Sequence, residues 1–262
     1  MLFAELVVVV EWAWDHVHLV PTALRLVLSP ITSKVPTEFF TNHLGPCRKY
    51  SSCEWVGCKT LAEAEVLTFD SYLDKMDIAS VPRDGTGQIL EVGCGWGSFL
   101  LYAAAKHPDI NFTGFSNSAT QIAYISGEAA RRGLANVAAL RLDINDFCRD
   151  GLPGAADSRA EVTEAEAKAG PESSEEESSG GGGGSAARAP VDFSALRFDR
   201  IFSCECLEHS KNYAKVFEAL AAVLKDNPEA CVFVQILCHR EYTYFMNSDD
   251  WMGRNFFTGG TM

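Results

Sequence analysis

The sequence predicts an α/β protein built on an open, doubly wound parallel sheet with strand order 3-2-1-4-5. Three observations predict it. From residue 88 onward, short apolar runs alternate with helical patterns, which implies a parallel sheet covered on both faces with right-handed crossovers. The first run leads straight into Gly93, Gly95 and Gly97. Glycines at alternate positions let a backbone come close to a ligand where side chains would block it. Finally, 47% apolar residues in a chain of 262 suffice for one core with appendages.

The elements follow in order. Gln88–Val92 is a short buried strand, and Ser98–Lys106 a helix closed by His107 and Pro108. A second strand spans 110–115. Ser118 caps a helix that runs through Arg132 and ends at Gly133. A third strand covers 137–142 and stops at Asp143. Residues 198–204 form the fourth strand, 213–225 a helix with Val216, Phe217, Leu220, Val223 and Leu224 on one face, and 230–237 the fifth strand. In such a sheet the ligand sits beyond the carboxyl ends of the strands where the order reverses. That places the glycine turn beside residues 203–209.

Residues 151–195 break the alternation. Positions 157–188 hold eight acids against Arg159, Lys168 and Arg188, with an unbroken glycine run at 180–184. Such a stretch buries too little surface to offset its ordering entropy, so it reads as a disordered surface insertion. The chain thus divides into an N-terminal helical segment, 1–75, and a ligand-binding core, 76–262, interrupted by that insertion.

The net charge of −13 speaks against a nucleic-acid partner, because phosphate binding needs a basic face. Nine cysteines form no paired framework, and the spacing of Cys47, Cys53 and Cys58 is not a zinc pattern. A reducing compartment, the cytoplasm, fits this usage. Glu5, Glu11 and Asp15 interrupt the apolar N-terminus too soon for a membrane span of ~20 residues. It reads as a helix packed on its own domain.

The glycine spacing is Gly-x-Gly-x-Gly, whereas a dinucleotide fingerprint reads Gly-x-Gly-x-x-Gly with an acid some way downstream for the ribose. Here the second strand ends in Ser116 and Asn117 with no acid. A ribose is then held by neutral groups, Ser116, Asn117 and Gln121, which disfavours a nicotinamide enzyme. Asp143 is placed either to accept from an adenine amino group or to cap the next helix.

These residues, taken together, resemble one family. Leu-Glu-Val-Gly-Cys-Gly-Trp-Gly-Ser (90–98), Gly-Phe-Ser-Asn-Ser-x-x-Gln (114–121) and Cys-Leu-Glu-His-Ser-Lys-Asn-Tyr (206–213) are similar to the cyclopropane-fatty-acyl-phospholipid synthase-like methyltransferases. The match is closest to their coclaurine N-methyltransferase-like branch. Lys49-Tyr50-Ser51-Ser52-Cys53 and the run Thr60 to Glu65 fit as well. The resemblance implies a Rossmann-like class I methyltransferase sheet and S-adenosyl-L-methionine as cofactor. It implies that Tyr50 and Ser51 close over the cofactor. Glu91, Gly93, Gly95, Gly97, Ser116, Asn117, Gln121, Asp143 and Ile144 then line its site. Glu205, Glu208 and His209 become the catalytic polar group facing a small amine or, in the alternative, an acyl lipid.

Two departures matter. Where lipid-cyclopropanating relatives have Tyr-Ser-Cys, this chain has Tyr50-Ser51-Ser52, with the cysteine one place later at Cys53. The compact stretch from Glu208 to Tyr213 resembles the amine-methylating branch. The family also continues beyond the Gly-Gly-Thr segment at 259–261 with two further strands and a helical lid. A chain ending at Met262 is therefore expected to lack both. This leaves a truncated, non-catalytic cofactor-binding protein as the reading of another class. Oligomeric state has no signature in the sequence.

An amine must be neutral to attack a sulfonium methyl group. His209, with an ordinary pKa near 6.5, suits the role of its base. Glu208 or Glu205 would orient the imidazole or stabilise a cationic amine. Phe202, Trp251, Phe256 and Phe257 offer either aromatic faces for a cation or plain core packing.

Overall fold

Five parallel strands form one sheet in the order β3-β2-β1-β4-β5. The computed structural model describes residues 37–154 and 192–237. The strands are β1 (Gln88–Val92), β2 (Asn111–Ser116), β3 (Val137–Arg141), β4 (Arg200–Cys204) and β5 (Cys231–Gln235). In register, Val92 of β1 stands opposite Phe115 of β2 and Ser203 of β4. The residues that follow all three strands therefore emerge together along one edge. The order is the one the alternation predicts.

Alternate strand residues serve opposite faces, which is why the strands are apolar throughout rather than every second residue. Ile89, Phe112, Phe202 and Phe233 pack into one cluster with residues of α2 (Leu61–Lys75), α3 (Ser98–Lys106) and α4 (Ala119–Arg132). Leu90, Val92, Ile201, Val232 and Val234 pack on the other face with α5 (Ile144–Asp150) and α6 (Tyr213–Val223). A short helix, α1 (Thr37–His43), precedes these layers. Phe202 stacks on Phe233 at 5.7 Å and lies 4.4 Å from Phe99, so its ring belongs to the core.

The capping chemistry written in the sequence sets several helix ends. Thr60 and Glu63 form a reciprocal capping box at the start of α2. Ser118 accepts from the Gln121 amide at the start of α4, and left-handed Gly133 closes its far end. α2 is part of the core rather than of a separate unit. Its Phe69, Tyr72 and Leu73 share a cluster with Ile89 and Phe99, so packing runs unbroken through the division expected at residue 75.

Other boundaries differ from expectation for reasons distant in sequence. β4 begins at Arg200 rather than 198, and α6 stops at Val223 rather than 225. Phe198 pairs with Leu224 instead: the Phe198 amide donates to the Val223 carbonyl at 2.9 Å and the Lys225 amide to the Phe198 carbonyl at 2.9 Å. The predicted insertion, 151–195, is claimed by the core at both ends. Leu152 and Phe193 are buried beneath β3–α5 and β4, and Asp192 caps the turn Phe193–Ala195. The apolar N-terminus, the acidic glycine-rich run, Trp251, Phe256 and Phe257 lie outside the described residues. Among the described residues, no helix is long and apolar enough to cross a membrane.

Candidate functional site

The site is built where the chain leaves β1. Gly93, Gly95 and Gly97 all take positive φ, at 74°, 53° and 72°. All three also stand at close approaches, Gly97 with its would-be Cβ 2.6 Å from the Ile125 side chain. A Cβ on Gly93 would lie 2.3 Å from the Cys206 Sγ, and one on Gly95 would lie 2.8 Å from the Tyr50 ring. The backbone leaving β1 thus meets side chains from the end of β4 and from the segment containing Tyr50 at distances only glycine permits.

Gly97 occupies the N-cap of α3 and has no side chain to satisfy the helix's first amides. Glu91 of β1 lies buried beside this helix start, where the Leu100 backbone favours its charged form. Burial pushes the Glu91 carboxyl up to about 8, with the Lys49 charge and the Leu100 backbone pulling the other way. Its Oε2 is buried and has no partner among the described residues.

The segment 45–53 is bound over this turn by two carboxylates. Buried Glu65 of α2 accepts the Cys47 amide at 3.1 Å and the Lys49 amide at 3.2 Å. Glu205, directly after β4, accepts the Ser52 amide at 2.9 Å and the Gln235 side-chain amide at 3.4 Å. Between these braces Lys49 is 2% exposed. Its ammonium donates to the Ser51 hydroxyl, lies 3.9 Å from the Cys204 Sγ, and stands 5.4 Å from the centre of the Tyr72 ring. Burial raises the Tyr50 phenol pKa, an effect the Gln121 side chain offsets in part.

At the end of β2, the Ser116 hydroxyl donates to the Gln121 Oε1 at 2.7 Å, and both side chains are buried. Asn117 beside them is exposed. Asp143 caps α5, its Oδ1 accepting the Asn145 amide at 2.8 Å. Ile144 packs against the apolar cluster beneath.

The polar group expected after β4 is a short 3-10 turn, Leu207–His209, followed by Asn212 as the cap of α6. Glu208 and His209 therefore do not cap that helix. Glu208 is 1% exposed, and its Oε1 accepts the Leu237 amide beyond β5 at 2.6 Å. His209 reaches solvent, yet the protein packed around it holds its imidazole below the ordinary range. Cys53 is buried, and its thiol is pushed up to about 11 by desolvation.

Tyr50, Ser51, Glu91, the three glycines, Gln121 and Glu205 are thus brought to one edge of the sheet, with Glu208 and His209 on the turn that follows. Two residues of this site carried no local signal. Lys49 in a loop reads as a solvated charge, and Glu65 as the exposed face of a helix; only the packing of α2 against the segment buries them.

A family model described as a methyltransferase domain matches residues 69–257. The chain belongs to that family. The methyltransferase domain is also similar to (S)-coclaurine N-methyltransferase of Papaver somniferum, 28% identical over 233 residues that cover 87% of this chain and 52% of the relative. Among solved structures, a coclaurine N-methyltransferase bound to N-methylheliamine and SAH superposes with a TM-score of 0.57 at 24% identity. That match covers 88% of this chain and 53% of the other. A mycolic acid cyclopropane synthase complexed with SAH and CTAB gives a TM-score of 0.50 at 20% identity, covering 74% and 51%. The two structures share the fold of the methyltransferase domain. The chain spans about half the length of the curated relatives it matches.

Proposed function

We propose that this chain is the donor-binding part of an S-adenosylmethionine-dependent N-methyltransferase that acts on a small, alkaloid-like amine. One observation carries the reading. The glycine turn after β1 and the residues Glu205, Glu208 and His209 after β4 stand on the same edge of the sheet, joined by the contact of Gly93 with Cys206.

The residues present suit the cofactor. Gly93 and Gly95 let the Cys206 and Tyr50 side chains close directly onto the turn, leaving its backbone amides free of side-chain cover of their own. Ser116 and Gln121 offer neutral groups for ribose hydroxyls, and Tyr50 with Ser51 covers the turn. Bound there, S-adenosylmethionine supplies an electrophilic methyl group. The protein's part is to align the acceptor, exclude water and receive a proton. Depression of the His209 pKa keeps its imidazole neutral near pH 7, the form able to take a proton from an amine. The Glu205 and Glu208 carboxylates favour a cationic acceptor or product nearby. The similarity to curated coclaurine and pavine N-methyltransferases supports an amine acceptor.

Calorimetric titration with S-adenosylmethionine, S-adenosylhomocysteine and NADH tests the cofactor. Heat with the first two and none with NADH is expected; no heat with either adenosyl ligand overturns the reading. Transfer of a labelled methyl group to a set of small, alkaloid-like amines, run beside a lipid extract, tests the acceptor. Label entering only the lipid would replace the amine with an unsaturated acyl chain.

A further inference from the structure

The Lys49 ammonium is a buried charge that the methyl-transfer chemistry above leaves unused. Its counterpart, buried Arg200, spends its guanidinium on the carbonyls of Asp199 at 2.9 Å and Glu229 at 2.6 Å, at the opposite end of the sheet. Lys49 makes no ion pair among the described residues. Instead it donates to the Ser51 hydroxyl, which also accepts from the Cys204 thiol at 3.5 Å. The Tyr72 hydroxyl lies 3.5 Å from the same sulfur, and with the thiol's one proton given to Ser51 the phenol is left to donate in that contact. Burial keeps both the phenol and the thiol protonated, consistent with this direction of donation.

A serine hydroxyl has two acceptor lone pairs and one proton. Here both lone pairs are taken, one by Lys49 and one by Cys204. Ser51 can act toward a ligand only by donating, and it does so next to a positive charge that no carboxylate of the described residues neutralises by direct contact. Both features call for an anionic acceptor. S-adenosylmethionine carries one such group, the carboxylate of its methionine portion.

We propose that Lys49 is a positioning residue for the methyl donor: with Cys204 it fixes the Ser51 hydroxyl as a donor aimed at the donor's carboxylate. The inference rests on the cofactor assignment above. It is tested by comparing two ligands that share a thioether nucleoside, S-adenosylhomocysteine, which has the carboxylate, and 5′-methylthioadenosine, which lacks the amino-acid portion. Lys49→Met weakens S-adenosylhomocysteine by roughly ten- to a hundredfold, the worth of a charge-assisted bond, and leaves methylthioadenosine within about twofold. In a Ser51→Ala background the same substitution adds less than about twofold, because its route is gone. Equal losses on both ligands, or losses that add fully with Ser51→Ala, overturn the proposal. Thermal melting checks that the variant folds; if Lys49→Met does not, Cys204→Ala frees one lone pair of Ser51 and must show the same ligand selectivity. A wild-type chain that binds neither ligand fails earlier, at the cofactor assignment.

Discussion

The Glu205 carboxylate accepts the backbone N–H of Ser52 at 2.9 Å, a bond that ties the end of β4 to the segment lying over the glycine turn. Glu205 holds this position with a left-handed backbone, φ 46°, a conformation that costs a non-glycine residue about 1–2 kcal/mol. Its own amide donates to the Gln235 carbonyl at 2.8 Å, which fixes the strained residue from its other side. The same residue is therefore a brace for the donor-covering segment and one of the carboxylates assigned to the acceptor.

Those two roles separate by substitution. Glu205→Gln keeps an oxygen for the Ser52 amide but loses the charge; Glu205→Ala loses both. S-adenosylhomocysteine affinity is expected to stay within about threefold for the glutamine variant and to fall roughly tenfold for alanine. Methyl transfer to an amine falls in both. Calorimetry beside initial rates checks this, and equal affinity losses for the two variants would show that the brace is not what Glu205 contributes.

The glycine turn makes a steric prediction. Gly93→Ala places a methyl group 2.3 Å from the Cys206 sulfur and holds alanine at a φ of 74°. A loss of about 2–4 kcal/mol in denaturant unfolding is expected, from overpacking and backbone strain together. Cys206→Gly in the same chain removes the clash and not the strain, so it recovers part of the loss. Full recovery, or none, contradicts this division.

Buried Glu91 couples folding to pH. Its carboxyl is raised to about 8 against an ordinary 4.5, so between these values the folded protein binds more protons than the unfolded chain. Stability is then greatest below about pH 4.5 as far as this group decides. It declines as pH rises through the window to about 8, by at most about 1.4 kcal/mol per unit. Glu91→Gln keeps the side chain's size and polarity and removes the titration. Urea unfolding across pH 5–8 should show a flatter profile in the variant; an unchanged slope would place the ionisation elsewhere.

If His209 is the base, as proposed above, its titration sets the acid limb of the rate. Burial lowers its pKa, so the neutral base persists as pH falls through 6.5, and kcat/KM declines only below that value. With an acceptor that stays neutral over the range, wild type keeps more than half its plateau rate at pH 6.5. His209→Asn loses the limb and roughly a hundredfold or more in rate. A limb at or above 6.5 would remove His209 as the base.

Much of this molecule could be read from local pattern. The strands are continuous apolar runs because both faces of the sheet are covered, and the glycines stand where a backbone must come close. Ser118, Gly133 and the capping box at Thr60 and Glu63 act within a few residues of themselves, so their effect is written in adjacent sequence. The pairing of Phe198 with Leu224 is not local, and it moved two element boundaries. Leu152 and Phe193 stood in a stretch whose composition is that of a disordered chain, yet the core reaches past its edges to hold them.

The sequence by itself determined the sheet, its strand order, the glycine turn and the family, because each depends on periodicity or on residue types at fixed spacing. Only the tertiary structure decided what the charged residues do. Glu91 is buried against the start of α3 with its carboxyl pushed up, Glu65 and Glu205 hold the covering segment, and Lys49 is enclosed with Ser51, Tyr72 and Cys204. Burial and charge pairing are properties of residues brought together from distant parts of the chain, and no spacing along the sequence encodes that encounter.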